Sequence, residues 1–526
     1  MQSKIENNSR PELIFALVGQ AGVRIENYSQ ILRDHLKTFG YKTIDIKLSE
    51  LLRIYTGWTD VHDTSEATRI MHRQEMGLKF RSSLNNGDGA ALARASLAKI
   101  REERAKISGN PDVPASECAF ILNQLKHPAE VKLLRQVYGS SFILLAGHAP
   151  KDLRRTSLEV RFKNDKYDER YAKEKAEHII VDDEKQVDDL GQNTRDAYPL
   201  ADYFGSFERN KEKQVTRFVD LLFGHPFHTP LPDEHAMFQA YAGSLRSSDE
   251  SRQVGAVIVE FAKNQSGKIT KVDVVASGMN EVPRRGGSFY WHEDSDDARD
   301  QIIKYREGVD RADRIKVDVL TELFDKLQVN NLLHKKMRDT PSHQLAREFL
   351  KKLKGTQFLN IGEFMRTVHA EMAALIDSAR RGVAVDGLSM FVTTFPCHNC
   401  AKHIIAAGLK HVVYLEPYPK SRAEALHGEE IALEPIDGVA LNEKVAFLAF
   451  TGVAPRQYQQ LFSITRRGER NGLSLKVWEE KKMALSPRYV ENKASAAYLL
   501  AERQELEKLP VDVYKWDKNA ICPVLK

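Results

Sequence analysis

The sequence predicts an α/β protein of two domains, and three observations carry that prediction. Short apolar runs alternate with helix-spaced segments along both halves of the chain, the pattern of strand–helix–strand units. A proline-rich stretch, FGHPFHTPLPDE with prolines at 226, 230 and 232, breaks the alternation near the middle. The 526 residues also exceed what a single hydrophobic core usually spans. The expected division is 1–225 and 226–526, the second part carrying a polar insertion at about 284–360.

In the first part, LIFALVG (13–19) reads as a buried strand, and IENYSQILRDHLKTFG (25–40) has helical spacing and stops at Gly40. YKTIDIKL returns as a strand. CAFILNQL (118–125) and SFILLAGHA (141–149) are further buried-strand candidates separated by the helical AEVKLLRQVYG. Such repetition favours a parallel, doubly wound sheet. Residues 151–215 are charge-rich, and RFKNDKYDERYAKEKAEHIIVDDEK reads as a solvated helix. In the second part, HAMFQAYAGSLRSS reads as a helix, and VGAVIVE and KVDVVASGMN as strands joined through the turn NQSGK. LSMFVTTF (388–395), a helix from Cys397, HVVYLEPY (411–418) and VAFLAF (445–450) complete an α/β domain with a mixed sheet. Internal repeats and low-complexity segments are not evident.

Composition narrows the class. Hydrophobic residues make up 42% and charged residues 29%, a globular balance, and no apolar run is long enough to span a bilayer. The opening MQSKIENNSRPE lacks the apolar core of a secretory signal. Four cysteines in this length do not make a disulfide framework, and a reducing cytoplasm is the expected compartment. With 78 basic against 73 acidic residues, the net charge of +5 does not by itself argue for nucleic-acid binding.

Two of the four cysteines fall in one CxxC. TVHAEMAAL, from Thr367, places His369 and Glu371 at the start of a helix that ends at Gly382, and TTFPCHNCAKHI places Cys397 and Cys400 at the head of the next helix. The i, i+3 spacing puts both sulfurs on one face, and the helix dipole favours thiolate, the form that binds zinc. One imidazole and two thiolates leave a fourth tetrahedral position for water, as in catalytic rather than structural zinc sites. Two thiolates offset the charge of Zn²⁺, so the water is acidified less and a carboxylate must take its proton, the role expected of Glu371. HxE followed by PCxxC is the pattern of zinc nucleobase deaminases, in which the glutamate is not a ligand. HxE alone is weak, since His427–Gly428–Glu429 also matches and reads as a surface loop; a lone CxxC could be a redox pair.

SLRSSDESRQVGAVIV (244–259), ASGMNEVP (276–283), HAEMAAL, TTFPCHNCAKHIIAAG and EPYPKS (416–421) together resemble the deoxycytidylate deaminase family, which deaminates the cytosine of a small deoxynucleotide. That resemblance implies a cytidine-deaminase-like α/β/α fold for the second domain. It also implies that Asn280 contacts the sugar, against a plain turn asparagine before Val-Pro, and that Arg252 and Lys420 are phosphate contacts, against ordinary solvated side chains.

Nearly the whole chain resembles the bacterial anti-phage dCTP deaminases, which join a P-loop-kinase-like domain to such a deaminase. NEVPRRGGSFYWHEDSDDARD and AFLAFTGVAPRQYQQLF, absent from a minimal deaminase, carry most of that resemblance. It implies conversion of dCTP, and also of dCMP, to the deoxyuridine form. Loss of dCTP would starve phage DNA synthesis. It also implies a homo-oligomer and, as in some members, inhibition by a small RNA.

VGQAGVRIEN sits where a phosphate-binding loop would lie. A Walker A loop from Gly19 needs glycine, lysine and a hydroxyl residue at 24, 25 and 26, where this chain has Arg24, Ile25 and Glu26. Gly19 and Gly22 could still present backbone N–H groups to an anion, with Arg24 supplying charge, or they are plain turn glycines. A nucleotide-sensing or regulatory domain is expected rather than a working kinase, with His127 and Arg195 as further cleft candidates. Two other readings stand beside the free-nucleotide deaminase. One is a polynucleotide deaminase, which needs a basic, aromatic-lined channel that the sequence does not display. The other is a regulatory nucleotide- or RNA-binding protein with a vestigial site, against which the intact His369, Glu371, Cys397 and Cys400 argue.

Overall fold

The computed structural model describes residues 10–515 except 62–64, 85, 165–167, 207–209, 268, 293, 295, 309, 354–355, 361, 418–420, 436–442, 464–474, 489, 491–494 and 511–514. The chain forms two compact units, Met1–Phe238 with Ala449–Lys526, and Gln239–Leu448.

In the first unit, β1 (Leu13–Gly19), β2 (Lys42–Lys47), β3 (Cys118–Leu125), β4 (Phe142–His148) and β5 (Tyr203–Ser206) form a parallel sheet in the order β5-β4-β1-β3-β2. The short strand Gly452–Val453 adds to β5 antiparallel. All seven residues of β1 are buried, as a strand covered on both faces requires, which is why it reads as a continuous apolar run. The helix Glu26–Thr38 buries Tyr28, Leu32 and Leu36, one stripe at helical spacing. That stripe packs into a core with Phe39, Phe218, Phe223 and Trp478.

Two expectations are corrected here. The segment read as one solvated helix forms two helices, Lys151–Asn164 and Glu169–Glu184. They bury Leu158, Phe162, Ala172, Ala176, Ile179 and Ile180, because the apolar residues between the charges recur every three to four positions. The division at 225/226 also differs from what is observed: the chain leaves the first unit after Phe238 and returns to it at Ala449. A buried ionic cluster explains the return. Glu502, on the helix Ser495–Glu507, accepts hydrogen bonds from Arg101, Arg104 and Tyr138, and Arg104 also pairs with Glu12. Arg101, Arg104 and Glu502 are each 0% exposed, so none of these charges has water as an alternative partner.

The second unit is a mixed sheet in the order β10-β11-β9-β8-β6-β7, with β6 (Gly255–Lys263), β7 (Ile269–Met279), β8 (Ser389–Thr394), β9 (His411–Glu416), β10 (Ile431–Leu433) and β11 (Val445–Ala449). β6 pairs antiparallel with β7 and β8, whereas β8 and β9 run parallel. The expected insertion is helical. Within it, Arg311–Val329 and Ser342–Lys352 bury a small core of their own around Leu320, Phe324, Leu345 and Ala346. The helix Ala370–Arg381 lies close on β7 because Gly278 has no side chain; a Cβ there would stand 2.3 Å from the Ala370 carbonyl. Among the described residues, no helix is long and apolar enough to cross a membrane.

Candidate metal centre and active site

Two helix N-termini build the centre. His369 is the N-cap of Ala370–Arg381, with φ −68° and ψ 152°, and the bridge between Val368 and Glu281 holds the loop that delivers it. Cys397 is the N-cap of the helix His398–Ala406, directly after β8 and Pro396, and Cys400 lies one turn further on. The extended backbone at each cap turns the chain sharply from its approach into the helix. The Ser421 hydroxyl donates to the Pro396 carbonyl at 2.8 Å and steadies the turn before Cys397.

The three side chains converge. His369 Nδ1 lies 3.4 Å from the Sγ of Cys397 and 3.4 Å from the Sγ of Cys400. All three donor atoms fall within 4.8 Å of one another. Tetrahedral zinc with bonds of about 2.3 Å to sulfur and about 2.0–2.1 Å to nitrogen sets its donors roughly 3.6–3.8 Å apart. The set therefore fits zinc in chemistry and in spacing. Among the described residues it is the one such His/Cys/Asp/Glu group.

Glu371 is 4% exposed and shares a hydrogen bond with Cys400. Burial pushes its carboxyl up to about 7. The hydrogen bond from Cys400 holds the Cys397 thiol down to about 4, while that same contact and burial push Cys400 up. The hydrogen bond to Cys397 raises His369 to about 8. In a metal-free centre, one sulfur thus already carries the negative charge a cation would meet.

Of the three residues expected to contact substrate, two lie among the described residues. Asn280 is buried; its Oδ1 accepts from Val254 N–H at 2.7 Å and its Nδ2 donates to the Arg252 carbonyl at 2.8 Å. A carboxamide has two donors and two lone pairs, so one of each is left. Arg252 is exposed and lies 3.6 Å from Glu416 at the end of β9. Lys420 falls outside the described residues.

Sequence reasoning missed Glu281. This buried carboxylate accepts from the Ser248 backbone and hydroxyl, at 2.9 and 2.6 Å, and so ties the SLRSS loop to the loop before His369. Its place next to Asn280 is the one signal that could have found it. The lookalike His427–Gly428–Glu429 closes a short helix, away from any donor cluster.

In the first unit, a cleft of about 260 Å³ opens beside the β1 turn and includes Gly22 in its wall, but not Gly19, Arg24, His127 or Arg195. The Gly19 carbonyl accepts from Lys126 Nζ at 2.7 Å, and Arg24 is exposed. His127 caps the helix Pro128–Tyr138, and Arg195 pairs with the neighbouring Asp196.

Comparison with known proteins agrees with the geometry. Residues 231–416 match the cytidine and deoxycytidylate deaminase zinc-binding region. ComE operon protein 2 of Bacillus subtilis (strain 168) is 41% identical over 83 residues, covering 16% of this chain and 43% of that protein. The deoxycytidylate deaminase of Enterobacteria phage T4 is 44% identical over 55 residues, 10% of this chain and 28% of that protein. The human deoxycytidylate deaminase is 45% identical over 47 residues, 9% of this chain and 25% of that protein. The chain thus spans less than half the length of these relatives. Among solved structures, the dCMP deaminase of cyanophage S-TIM5 aligns in complex with dCMP and dUMP at 19% identity and a TM-score of 0.21, covering 42% of this chain and 99% of that one. That last likeness is too slight to bear on mechanism. Residues 231–416 are thus similar to a zinc-binding deaminase region, and His369, Cys397 and Cys400, a group that could hold a metal ion, fall within that match.

Proposed function

We propose that this domain hydrolytically deaminates the cytosine of free deoxycytidine nucleotides, turning dCTP, and also dCMP, into the deoxyuridine form with release of ammonia. The observation that carries the proposal is the convergence of His369, Cys397 and Cys400 beside a buried Glu371. Zinc, when bound there, supplies the acidified water that such chemistry needs.

The chain's own residues do the rest. Glu371 takes one proton from the water that adds to C4 and gives it to the ring nitrogen N3; it then takes the second proton from the new C4 hydroxyl and gives it to the amine, which leaves as ammonia as the C4–N bond breaks and the C4 carbonyl forms. Burial keeps this carboxyl away from bulk water, so each proton it takes is held until it is passed on. Asn280 binds the sugar through its remaining donor and acceptor. In this reading Arg252, whose carbonyl Asn280 holds, and Lys420 contact the phosphate, on the strength of the sequence resemblance.

The deaminase domain serves phage defence by depleting dCTP in the bacterial cytoplasm. Support for this comes from the extended resemblance of the whole chain rather than from the site. On the same basis the first unit is a regulatory nucleotide-sensing domain, and the chain self-associates and answers to a small inhibitory RNA.

The test is ammonia release from dCTP, dCMP, cytidine and a cytosine-containing oligonucleotide, with zinc quantified in the same preparation. Turnover of the two free deoxynucleotides by zinc-loaded protein is expected. Release from the oligonucleotide alone would replace this reading with polynucleotide editing.

A further inference from the structure

Glu281 stands where three segments of the second unit meet. Its backbone bridges Val368 in both directions: the Glu281 N–H donates to the Val368 carbonyl at 3.2 Å, and the Val368 N–H donates to the Glu281 carbonyl at 3.0 Å. Val368 directly precedes His369, so this bridge steadies the approach of the first metal donor. The side chain reaches elsewhere. Its Oε2 accepts from the Ser248 N–H at 2.9 Å and the Ser248 hydroxyl at 2.6 Å, and its Oε1 accepts from the Val282 N–H at 2.9 Å. Ser248 is also held from the helix Asp300–Glu307, where Gln301 Nε2 donates to the Ser248 carbonyl.

The loop gripped in this way runs from Ser247 to Val254, and two adjacent side chains fasten its ends. Glu281 holds it at Ser248, and Asn280 holds it at Arg252 and Val254. Between these points Asp249 accepts from the Ser251 and Arg252 N–H groups, at 2.8 and 3.2 Å, and closes the turn. Asp249 also stands close enough for its charge to act on His369, so the loop adjoins the metal centre.

The chemistry of this junction calls for a carboxylate. Two N–H groups and a hydroxyl converge on Glu281, which is 3% exposed and so has little water to replace them. A carboxylate presents acceptors on both oxygens, whereas a carboxamide would set its NH₂ against one of the N–H donors. The positive charges of Arg246 and Arg299 act on the same carboxylate and offset part of the cost of burying it.

We propose that Glu281 is a positioning residue of the active site, whose carboxylate seats the loop 247–254, and Arg252 with it, against the metal centre for substrate binding. The proposal rests on the deaminase reading above. Glu281 touches neither the metal donors nor Glu371, so its side chain acts on substrate binding rather than on the chemical step.

The experiment is steady-state ammonia release from dCMP by the full-length, zinc-loaded Glu281→Gln protein, with zinc content and the pH dependence of kcat measured alongside. KM is expected to rise about tenfold or more, while kcat stays within about threefold of the parent. Zinc and the pH dependence should be unchanged, because the bridge to Val368 is made by backbone and survives the substitution. Ser248→Ala, which deletes only the hydroxyl donor, should raise KM in the same direction by less, and Ser248→Thr, which restores a hydroxyl, should return it toward the parent value. The two Ser248 variants decide the matter should Glu281→Gln fail to fold. An unchanged KM in the folded variants, or a loss of kcat or of zinc in place of the rise in KM, would overturn the assignment while parent turnover left the deaminase reading intact. A parent protein that turns over neither dCMP nor dCTP would remove the deaminase reading itself, and this assignment with it.

Discussion

At the head of the helix His398–Ala406 the chain gathers Cys397, Cys400 and, from a second helix head, His369, whereas at the head of the helix Glu26–Thr38 it supplies Asp183 and Lys126 to each other. In both places a strand hands over to a helix head, β1 before Glu26 and β8 before His398. The metal centre brings together three donors whose mutual contacts are sulfur–nitrogen ones of 3.4 Å and a hydrogen bond between the two cysteines, so a cation gains from all three. The β1 turn is satisfied by a carboxylate of the same chain at 2.8 Å, so an external anion gains little. A strand-to-helix turn therefore serves chemistry according to what the rest of the fold leaves unsatisfied around it.

Breaking the metal side of this comparison should have the largest effect. Cys397→Ala or His369→Ala is expected to abolish both stoichiometric zinc, measured by elemental analysis, and turnover. Glu371→Gln should keep zinc and lower kcat by roughly 10²–10⁴-fold, the usual yield of a positioned acid–base group; full activity in that variant would remove Glu371 from the proton path.

The internally satisfied side should answer in stability. Glu502→Ala leaves buried Arg104 with Glu12 and Arg101 with Asp112 as their remaining acidic partners, and a loss of about 3–5 kcal/mol is expected by urea unfolding of the first unit, with zinc content retained. A smaller effect is expected at Asp220. Burial alone would raise this carboxyl, but hydrogen bonds from His228 and His35, with the charge of Lys482, outweigh it and hold it well below the ordinary carboxylate range. A depressed folded-state value means that its stabilisation is present above the ordinary carboxylate value and is lost as pH falls below about 4. Asp220→Asn should cost about 2 kcal/mol at neutral pH and flatten the acid limb of a stability–pH profile.

Much of the metal centre was legible because its information is local. HAE and PCHNC each fix a helix head, and helix geometry puts two of the donors on one face before any tertiary contact forms. The buried strands were legible for a related reason, since a parallel sheet covered on both faces demands unbroken apolar runs. Glu281 and β10 were not. The first acts through partners more than thirty positions away, and the second is three residues long. The charged segment around 161–185 misled because its apolar stripe is diluted by lysine and glutamate, although Ile179 and Ile180 bury completely.

By itself the sequence determined the donor types, the helix heads that present them, and the absence of a Walker lysine, because each depends on residues a few positions apart. Tertiary structure decided that three donors from segments about thirty residues apart meet at one point. It also decided that Asp183 reaches the β1 turn from 162 positions away and that residues after 449 rejoin the first unit. Those outcomes depend on which buried charges and polar atoms find one another when water is excluded, and no short window of residues encodes that.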